Sequence, residues 1–492
     1  MIKALNNEER SLALLGLVVM LICAVFSNGR FHADEHFQIL EFAHYKMGKM
    51  SADDLPWEFE ERMRPALQVG LGFGVIHFLS WCGLTSPFDQ VMVLRILSGL
   101  LSWMLLVQCY RLFKEEGTHK GEDFWLLAIL LFSWFVPLLS VRYSSENWSA
   151  ISFFMAVTCM IQFEKRLIKR IIWLEILVGI LLGFAFYFRF QMAFAMLGLM
   201  AWWIWRKQLM SWTSLCIIVG VCFSFLFCSL VDRWFYGTWV FTPFQYFRAN
   251  ILEHKAADFG VSPWWYYFTI YLEKGIPPLS ILSFVFLIIG IVLNRSSVLV
   301  WIFISFLIGH LMVGHKELRF MFPMMIPFLV LIARGIHWGQ HQIKTNQWLR
   351  WGKSTVVVFN CMILLGVIFS PAQPSVNMYK YLYDHANANK ALMLSLKQGP
   401  YDCGILNIHF YRADSLQTLV FNSDSALLQY IEQEEPKTFW MLSENIITES
   451  KYPAYESRQL YSTIPSWIAK FDFNGWVSRS GIWILYEFQK KE

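Results

Sequence analysis

Long apolar runs alternate with short polar intervals up to about residue 370, and the pattern then changes character. Runs long enough to cross a bilayer lie at 11–28, 91–112, 123–141, 148–164, 171–188, 190–205, 209–232, 276–294, 297–313, 320–338 and 353–370. A helix rises about 1.5 Å per residue and the hydrocarbon core is about 30 Å thick, so each run predicts a transmembrane helix. A shorter stretch at 66–82 carries Gly70, Gly72, Gly74 and His77. Glycine weakens a helix and an ionisable group is costly in lipid, so this stretch is predicted to be an interfacial or re-entrant helix. Beyond 370, alternating segments CGILNIHF (403–410) and TFWMLSEN (438–445) flank a helical pattern, SALLQYIEQ (425–433). These predict strands and a helix of a small soluble α/β domain. The expected fold is an α-helical polytopic membrane protein of about eleven spans (1–370) with a small C-terminal α/β domain (371–492) outside the membrane.

Charge fixes the orientation. Only 16% of the residues are charged, against about 25% in an average soluble domain, which excludes a soluble enzyme. A formal net charge of +5 gives no nucleic-acid signature. The basic residues between spans are Arg111, Lys114 and Lys120; Lys165, Arg166, Lys169 and Arg170; Arg206 and Lys207; Arg295; and Arg334, Lys344, Arg350 and Lys353. All of them lie on one side, with the N-terminus, only if 66–82 does not cross. The positive-inside rule then makes that side cytosolic and makes 29–90 a long first outer segment. The start MIKALNNEER plus 11–28 reads as an uncleaved signal anchor, since no small-x-small site precedes the polar residues. Seven of the nine Cys lie in apolar stretches, leaving Cys82 and Cys403, so neither a disulfide framework nor a CxxC metal spacing is expected.

The outer side collects the polar chemistry. HADEHFQ (32–38) places His32, Asp34, Glu35 and His36 together at the end of the first span. On a helix, Asp34 would share a face with Gln38, and His32 with His36. Helix-capping acids are the bland reading; a general base for a sugar hydroxyl, with an imidazole binding phosphate, is the sharper one. A zinc site is a lesser option, because the i, i+4 histidines lack the HExxH order and a completing cluster. In PWEFEERMRP (56–65), Trp57 and Glu58 suit a sugar-lining role, whereas Glu60 and Glu61 read as solvated. RYSSEN (142–147) contributes Arg142 and Glu146, and Arg189 interrupts an apolar run. An ionisable group so placed usually faces a cavity, and Arg142 and Arg189 are natural counter-charges to a phosphate. HKELRF (315–320) sets positive charge against the positive-inside bias. There Lys316 and Arg319 suit a phosphate, and His315 a bridging oxygen.

Taken together, these segments resemble one family. HADEHFQ is similar to the H-x-D-E-x-F-Q signature, and HKELRFMFP to the H-K-E-x-R-F signature, of the dolichyl-phosphate-mannose-dependent mannosyltransferases. Those enzymes elongate the GPI-anchor core and the N-glycan lipid precursor. PWEFEERMRP resembles that family's T-W-E-[WF]…R-S, RYSSEN its R-x-x-S-N-S-x-E, and residues 232–268 its D-x-x-Y-Y-G…P-W-x-Y-Y segment. YDCGILNIHFY (401–411) is more faintly similar to an outer Cys-His motif. Ala33, Pro56 and Pro65 stand where the family usually has Pro, Thr and Ser. The resemblance implies a C-type glycosyltransferase fold, Asp34 as catalytic base with Glu35 beside it, and a donor-phosphate region at His315, Lys316 and Arg319. It also implies work on the lumenal face of the endoplasmic reticulum or the outer face of a bacterial cytoplasmic membrane.

The expected function is transfer of a mannosyl residue from a polyprenyl or dolichyl phosphate donor to a glycan or glycolipid acceptor. The expected partners are the lipid-phosphate sugar donor, the glycan or glycolipid acceptor and membrane lipid, with no nucleic acid, and no cofactor or metal is called for. The alternatives are a lipid-linked sugar transporter or flippase, an enzyme of the same fold using another lipid-phosphate sugar, or an inactive assembly subunit. A transporter calls for midplane charges and paired broken helices in two repeats. The polar clusters instead lie at one face, and no repeat is visible.

Overall fold

The computed structural model describes residues 5–114, 120–208, 211–342, 347–389, 391–443, 452–463 and 483–491. A helix occupies each predicted span: Asn7–Phe26, Pro87–Phe113, Lys120–Phe132 with Val136–Val141, Ser145–Glu164, Ile172–Phe188, Met192–Trp205, Trp212–Tyr236, Leu279–Leu293, Val298–Met312, Met325–Gln342 and Gln347–Ile368. Five described helices are at least 18 residues long and apolar enough to cross a membrane. The protein is an integral, multi-pass membrane protein. Residues 66–82 hold a 15-residue helix, Leu67–Trp81, and Gly72 of that helix packs against the Tyr143 ring. Of the basic residues between spans, Lys344 lies outside the described residues.

Two compact units make up the chain. The first comprises Met1–Ser27, Trp57–Phe78 and Met92–Ser370; the second comprises Asn28–Pro56, Leu79–Val91 and Pro371–Glu492. The second unit therefore contains a stretch of the first outer segment as well as the C-terminal domain.

In the first unit, local chemistry sets where helices start, stop and break. Asn6 and Glu9 form a capping box at the head of Asn7–Phe26, satisfying two N–H groups that have no acceptor in the first turn. At its tail, Arg95 Nε donates to the Ala24 carbonyl at 2.7 Å. Arg142 Nη1 donates to the Ser27 carbonyl at 2.8 Å and to Ser27 Oγ at 3.0 Å. Two guanidinium groups thus meet the negative end of the helix dipole. The predicted span 123–141 is broken at Ser133–Phe135, ahead of Pro137. Asn360 repairs the break by accepting from the Trp134 N–H at 3.0 Å and donating to the Phe132 carbonyl at 2.7 Å. Backbone freed inside a bilayer needs such a partner.

Small residues set the closest helix approach. Gly179 and Gly183 of Ile172–Phe188 face Gly220 and Ser224 of Trp212–Tyr236. A Cβ on Gly179 would strike the Ile217 carbonyl oxygen, and one on Gly220 would strike that of Ile176. Lipid tails are as apolar as leucine, so close backbone packing rather than hydrophobicity drives such helices together. The same device joins Leu279–Leu293 to Met325–Gln342, where Gly290 and Gly335 lie against the Leu331 and Phe286 carbonyls.

The second unit is built on a five-stranded mixed sheet. Its strands come from β1 (Leu392–Leu396), β4 (Gln417–Phe421), β5 (Thr438–Ser443), β6 (Tyr455–Ser462) and β7 (Ile484–Lys490), in the order β4-β1-β5-β7-β6. β1 pairs in parallel with β4 and β5, whereas β7 runs antiparallel to β5 and β6. The helix Asp424–Glu434 connects β4 to β5, with Ser423 capping it. Its Leu427 and Ile431 join Leu394, Phe439, Met441, Tyr486 and Phe488 in the core. The strand over 438–445 and the helix over 425–433 appear where the pattern predicts them, with 444–445 outside the described residues. The strand expected over 403–410 does not form. Only a two-residue hairpin, β2 (Asp402–Cys403) with β3 (Leu406–Asn407), is present. Gly404 takes φ +73° at its turn, and the following N–H groups bond to a side chain instead of a neighbouring strand.

Substituting Gly179 by Leu should force two helix backbones apart and cost about 1–3 kcal/mol, the usual penalty of overpacking. Gly74→Leu, at a position with nothing within 4 Å of an added Cβ, is the control. The expected outcome is a lower thermal midpoint in detergent for Gly179→Leu alone.

Candidate active site

The heptapeptide HADEHFQ starts a helix and does not lie within one. His32 is extended (φ −142°, ψ 162°) and occupies the N-cap position, Ala33–Glu35 is α-helical, His36–Leu40 is π-helical and Glu41–Lys46 is α-helical again. Asp34 and Glu35 lie in the first turn, where the exposed N–H groups favour negative charge. Glu35 is buried and accepts from the Phe31 N–H, whereas Asp34 is half-buried. The expected helical faces, Asp34 with Gln38 and His32 with His36, need correction. His32 lies outside the helix, and the wider π turn falls between Asp34 and Gln38.

That π turn serves a pair that sequence patterning did not single out. Five residues of α-helix advance about 500°, leaving the first and last side chains roughly 140° apart. With i→i+5 bonding the helix widens and such a pair falls on one side. His36 and Glu41 are this pair, with Nε2 2.8 Å from Oε1 and both side chains 1% exposed. The same carboxylate oxygen accepts from the His409 N–H at 2.8 Å and the Phe410 N–H at 3.1 Å. The His36 ring stacks on Tyr411, with centroids 5.4 Å apart at 19°. His36, expected among the substrate-binding residues, makes these contacts within the second unit. Burial alone would raise the Glu41 carboxyl, but the His36 imidazole and the two backbone N–H groups together hold it below the usual carboxylate range. Burial likewise pulls the neighbouring His44 imidazole down.

In the first unit, a second group of expected residues does come together. Glu146, in the first turn of Ser145–Glu164, accepts from Arg189 Nη1 at 2.7 Å. Arg189 follows directly after Ile172–Phe188 in an extended conformation, placing a cation at that helix's C-terminus. Arg319 makes a bidentate contact with Glu317, Nε to Oε2 at 2.6 Å and Nη2 to Oε1 at 2.7 Å, and its Nη1 is 3.9 Å from Glu146. His315 Nε2 lies 3.2 Å from Glu317. Both guanidinium groups lie over the Phe320 ring, at 4.9 Å for Arg189 and 5.4 Å for Arg319. Arg189 is 6% exposed, and its Nε and Nη2 have no hydrogen-bond partner among the described residues. Such orphaned donors are costly unless a ligand meets them.

Lys316 is buried, and its amine donates to the Ser262 carbonyl at 3.2 Å and to that of Val313. Burial lowers its pKa. His315 Nδ1 is 3.0 Å from the Gly260 carbonyl, so 260–262 and 313–317 are laced together. Trp57 stacks on Phe259 with centroids 6.0 Å apart at 19°, and Phe259 meets the His315 ring edge-on at 6.2 Å. Trp57 and His315 thereby share one aromatic patch, with the Lys255 ammonium 5.4 Å from the Trp57 ring.

Three of these residues have protein partners that the sequence does not show. Glu58 is buried beside Arg64 at 3.3 Å. Glu61, expected to be solvated, is bonded to Arg248 at 2.8 Å and to Lys255, and the Lys255 ammonium holds its carboxyl below the usual range. Arg142, expected opposite a phosphate, caps the helix that leads to residue 28. Asp232, which opens the segment similar to D-x-x-Y-Y-G, accepts from the Ala66 N–H and from Thr242 Oγ1, both at 2.7 Å. Its signal in the sequence was an acid near the end of an apolar run. Among the described residues, no three His, Cys, Asp or Glu side chains are grouped as metal ligands.

The family model described as Alg9-like mannosyltransferase matches residues 12–395. The chain belongs to that family. Among its curated relatives, "GPI mannosyltransferase 3" of Yarrowia lipolytica is 26% identical over 354 residues, covering 66% of this chain and 62% of that protein. "GPI alpha-1,2-mannosyltransferase 3" of Homo sapiens is 23% identical over 423 residues, covering 81% of this chain and 70% of that one. The chain thus spans a little under two thirds of the yeast relative's length. ArnT from Cupriavidus metallidurans, solved with undecaprenyl phosphate, shares the fold with a TM-score of 0.53 at 12% identity, covering 88% of this chain and 92% of that one. The Alg9-like membership and the ArnT likeness together give a helical, C-type glycosyltransferase architecture with a C-terminal α/β domain.

A lowered carboxyl pKa in the folded state contributes stability that is complete above the unfolded value, about 4.3 for Glu. That contribution is lost as pH falls through the folded value. His36, His44 and His409 are the titratable side chains set around Glu41. Glu41→Gln should therefore have a lower thermal midpoint than the parent at pH 7. The gap should close as pH is taken below about 4.3, where the Glu41 carboxyl takes up a proton; a gap that persists there would show that charge is not its source.

Proposed function

We propose that the protein transfers a mannosyl residue from a dolichyl or polyprenyl phosphate donor to a glycan or glycolipid acceptor. The transfer takes place on the lumenal or outer face of its membrane. The observation that carries this reading is Arg189, a buried guanidinium with one Nη on Glu146 and its Nε and other Nη unpartnered among the described residues. An anion's oxygens are what such a group accepts, and a planar fork suits phosphate in particular. Arg319 and Lys316 add positive charge in the same unit. Family membership supports mannose, and the names of the yeast and human relatives support a GPI-type glycolipid and an α-1,2 linkage as the first acceptor and product to assay.

In the proposed reaction the acceptor hydroxyl attacks the anomeric carbon of the donor while Asp34 takes its proton. The new C–O bond forms as the bond from the anomeric carbon to the phosphate oxygen breaks, and the electron pair leaves with the lipid phosphate. Attack from the opposite side inverts the centre, so a β-linked donor gives an α-linked product. The growing negative charge is met by Arg189, Lys316 and Arg319. Such groups are worth most in a site of low dielectric, where they are already oriented before charge develops. His315 can donate to the departing oxygen, and Trp57 offers a face on which a sugar ring can stack.

Asp34→Asn should abolish transfer of labelled mannose from dolichyl phosphate mannose by the purified protein while leaving it folded in the membrane. Near-normal turnover would sink the assignment of the base. Arg189→Ala should cut kcat/KM by roughly 10²–10³-fold, the range seen when one transition-state donor is lost. Arg189→Lys should recover only a fraction, since a point charge does not replace the fork.

A further inference from the structure

We infer that Glu41 is a positioning residue, through which the C-terminal domain sets the orientation of the helix that carries Asp34. The inference rests on the reading of Asp34 as the base. Within the second unit the acidic helix is tied to C-terminal residues at both ends. Ahead of it, the Asn28 carbonyl accepts from the Ala372 and Gln373 N–H groups at 2.8 and 3.2 Å, and Arg30 Nη2 lies 3.1 Å from Cys403 Sγ. Behind it, one oxygen of Glu41 gathers the N–H groups of His409 and Phe410 and the Nε2 of His36. Asp34 lies between these anchors.

A carboxylate is a costly way to fill a core. Taking it out of water is repaid only by well-directed donors, and an apolar side chain of similar volume often stabilises as well or better. What the carboxylate adds is direction. It joins a side chain about two helical turns beyond Asp34 to the backbone of a segment more than 360 residues later that pairs in no strand. The His36–Glu41 bond also holds the wide π turn shut, and that turn fixes how far the residues before it are rotated relative to those after it. Tyr411 completes the clamp, stacking on His36 on one side and on Phe88 at 4.7 Å on the other. The segment 401–411 thus acts through the Cys403 thiol, the backbone of His409 and Phe410 and the Tyr411 ring.

The test uses the full chain in lipid nanodiscs, labelled dolichyl phosphate mannose, and amide hydrogen exchange. Glu41→Ala should lower kcat by about 10–100-fold, the cost of a misplacement near 1 Å, with the KM for the donor unchanged. Exchange at residues 36–46 and at His409 and Phe410 should speed up at the same time. Glu41→Gln keeps an oxygen facing the three donors and should retain kcat to within about threefold. If Glu41→Ala does not accumulate, Tyr411→Ala, which removes the ring stacked on His36, should show the same loss of kcat and the same faster exchange. Unchanged kcat in the Ala variant, a change confined to KM, or lost kcat with unaltered exchange at 36–46 would each overturn the inference. Asp34→Asn run in parallel separates the two readings. If it turns over normally, the base assignment fails while the exchange data still judge the brace; if it is dead and Glu41→Ala is fully active, the brace alone fails.

Discussion

Charge placed out of water has to be answered by charge or by directed dipoles, and this constraint governs both units. Glu146 with Arg189, Asp232 with Ala66 and Thr242, and Glu41 with its three donors are all solutions to the same problem. Each solution ties together pieces of chain that are far apart in sequence. The bundle is held mainly by apolar contact and by glycines that let backbones touch. Its polar bonds decide where loops between helices come to rest. Of these buried groups, Arg189 has donors left over, which is why it carries the functional reading.

Much of this was legible in the sequence. Hydropathy located the helices, because a bilayer of fixed thickness demands long apolar runs. HKELRF stands out because it sets positive charge on the outer side, and Arg189 because charge is rare in an apolar run; the structure places Arg319 and Arg189 over the same Phe320 ring. What stayed hidden depended on contacts made at long range. Glu41 sits in FQILEFAHYK, where one acid among apolar residues carries no pattern; its partners are more than 360 residues away. Arg142 read as a phosphate ligand because sequence cannot say that a helix end lies within reach of it. The 403–410 segment alternates like a strand, yet Gly404 turns it and Glu41 takes its donors.

The division of the chain into units follows backbone bonds as well as composition. Residues 28–56 are flanked by membrane helices, and nothing in their polarity assigns them to a domain that resumes at residue 371. The assignment comes from backbone bonds such as those of Asn28 with Ala372 and Gln373. For a member of the Alg9-like family this makes the acidic motif and the C-terminal domain parts of a single folding problem, although the membrane-spanning core lies between them in sequence.

A π turn is a helix carrying one residue more than α-helical bonding requires. Inserting one further residue between His36 and Leu40 would leave composition and hydrophobicity almost unchanged while rotating Asp34 by about 100° against Glu41. The distance along the chain from Asp34 to Glu41 is therefore a counted quantity, as binding as the identity of either residue. A signature for this segment that stops at Gln38 omits the residue from which its register is measured.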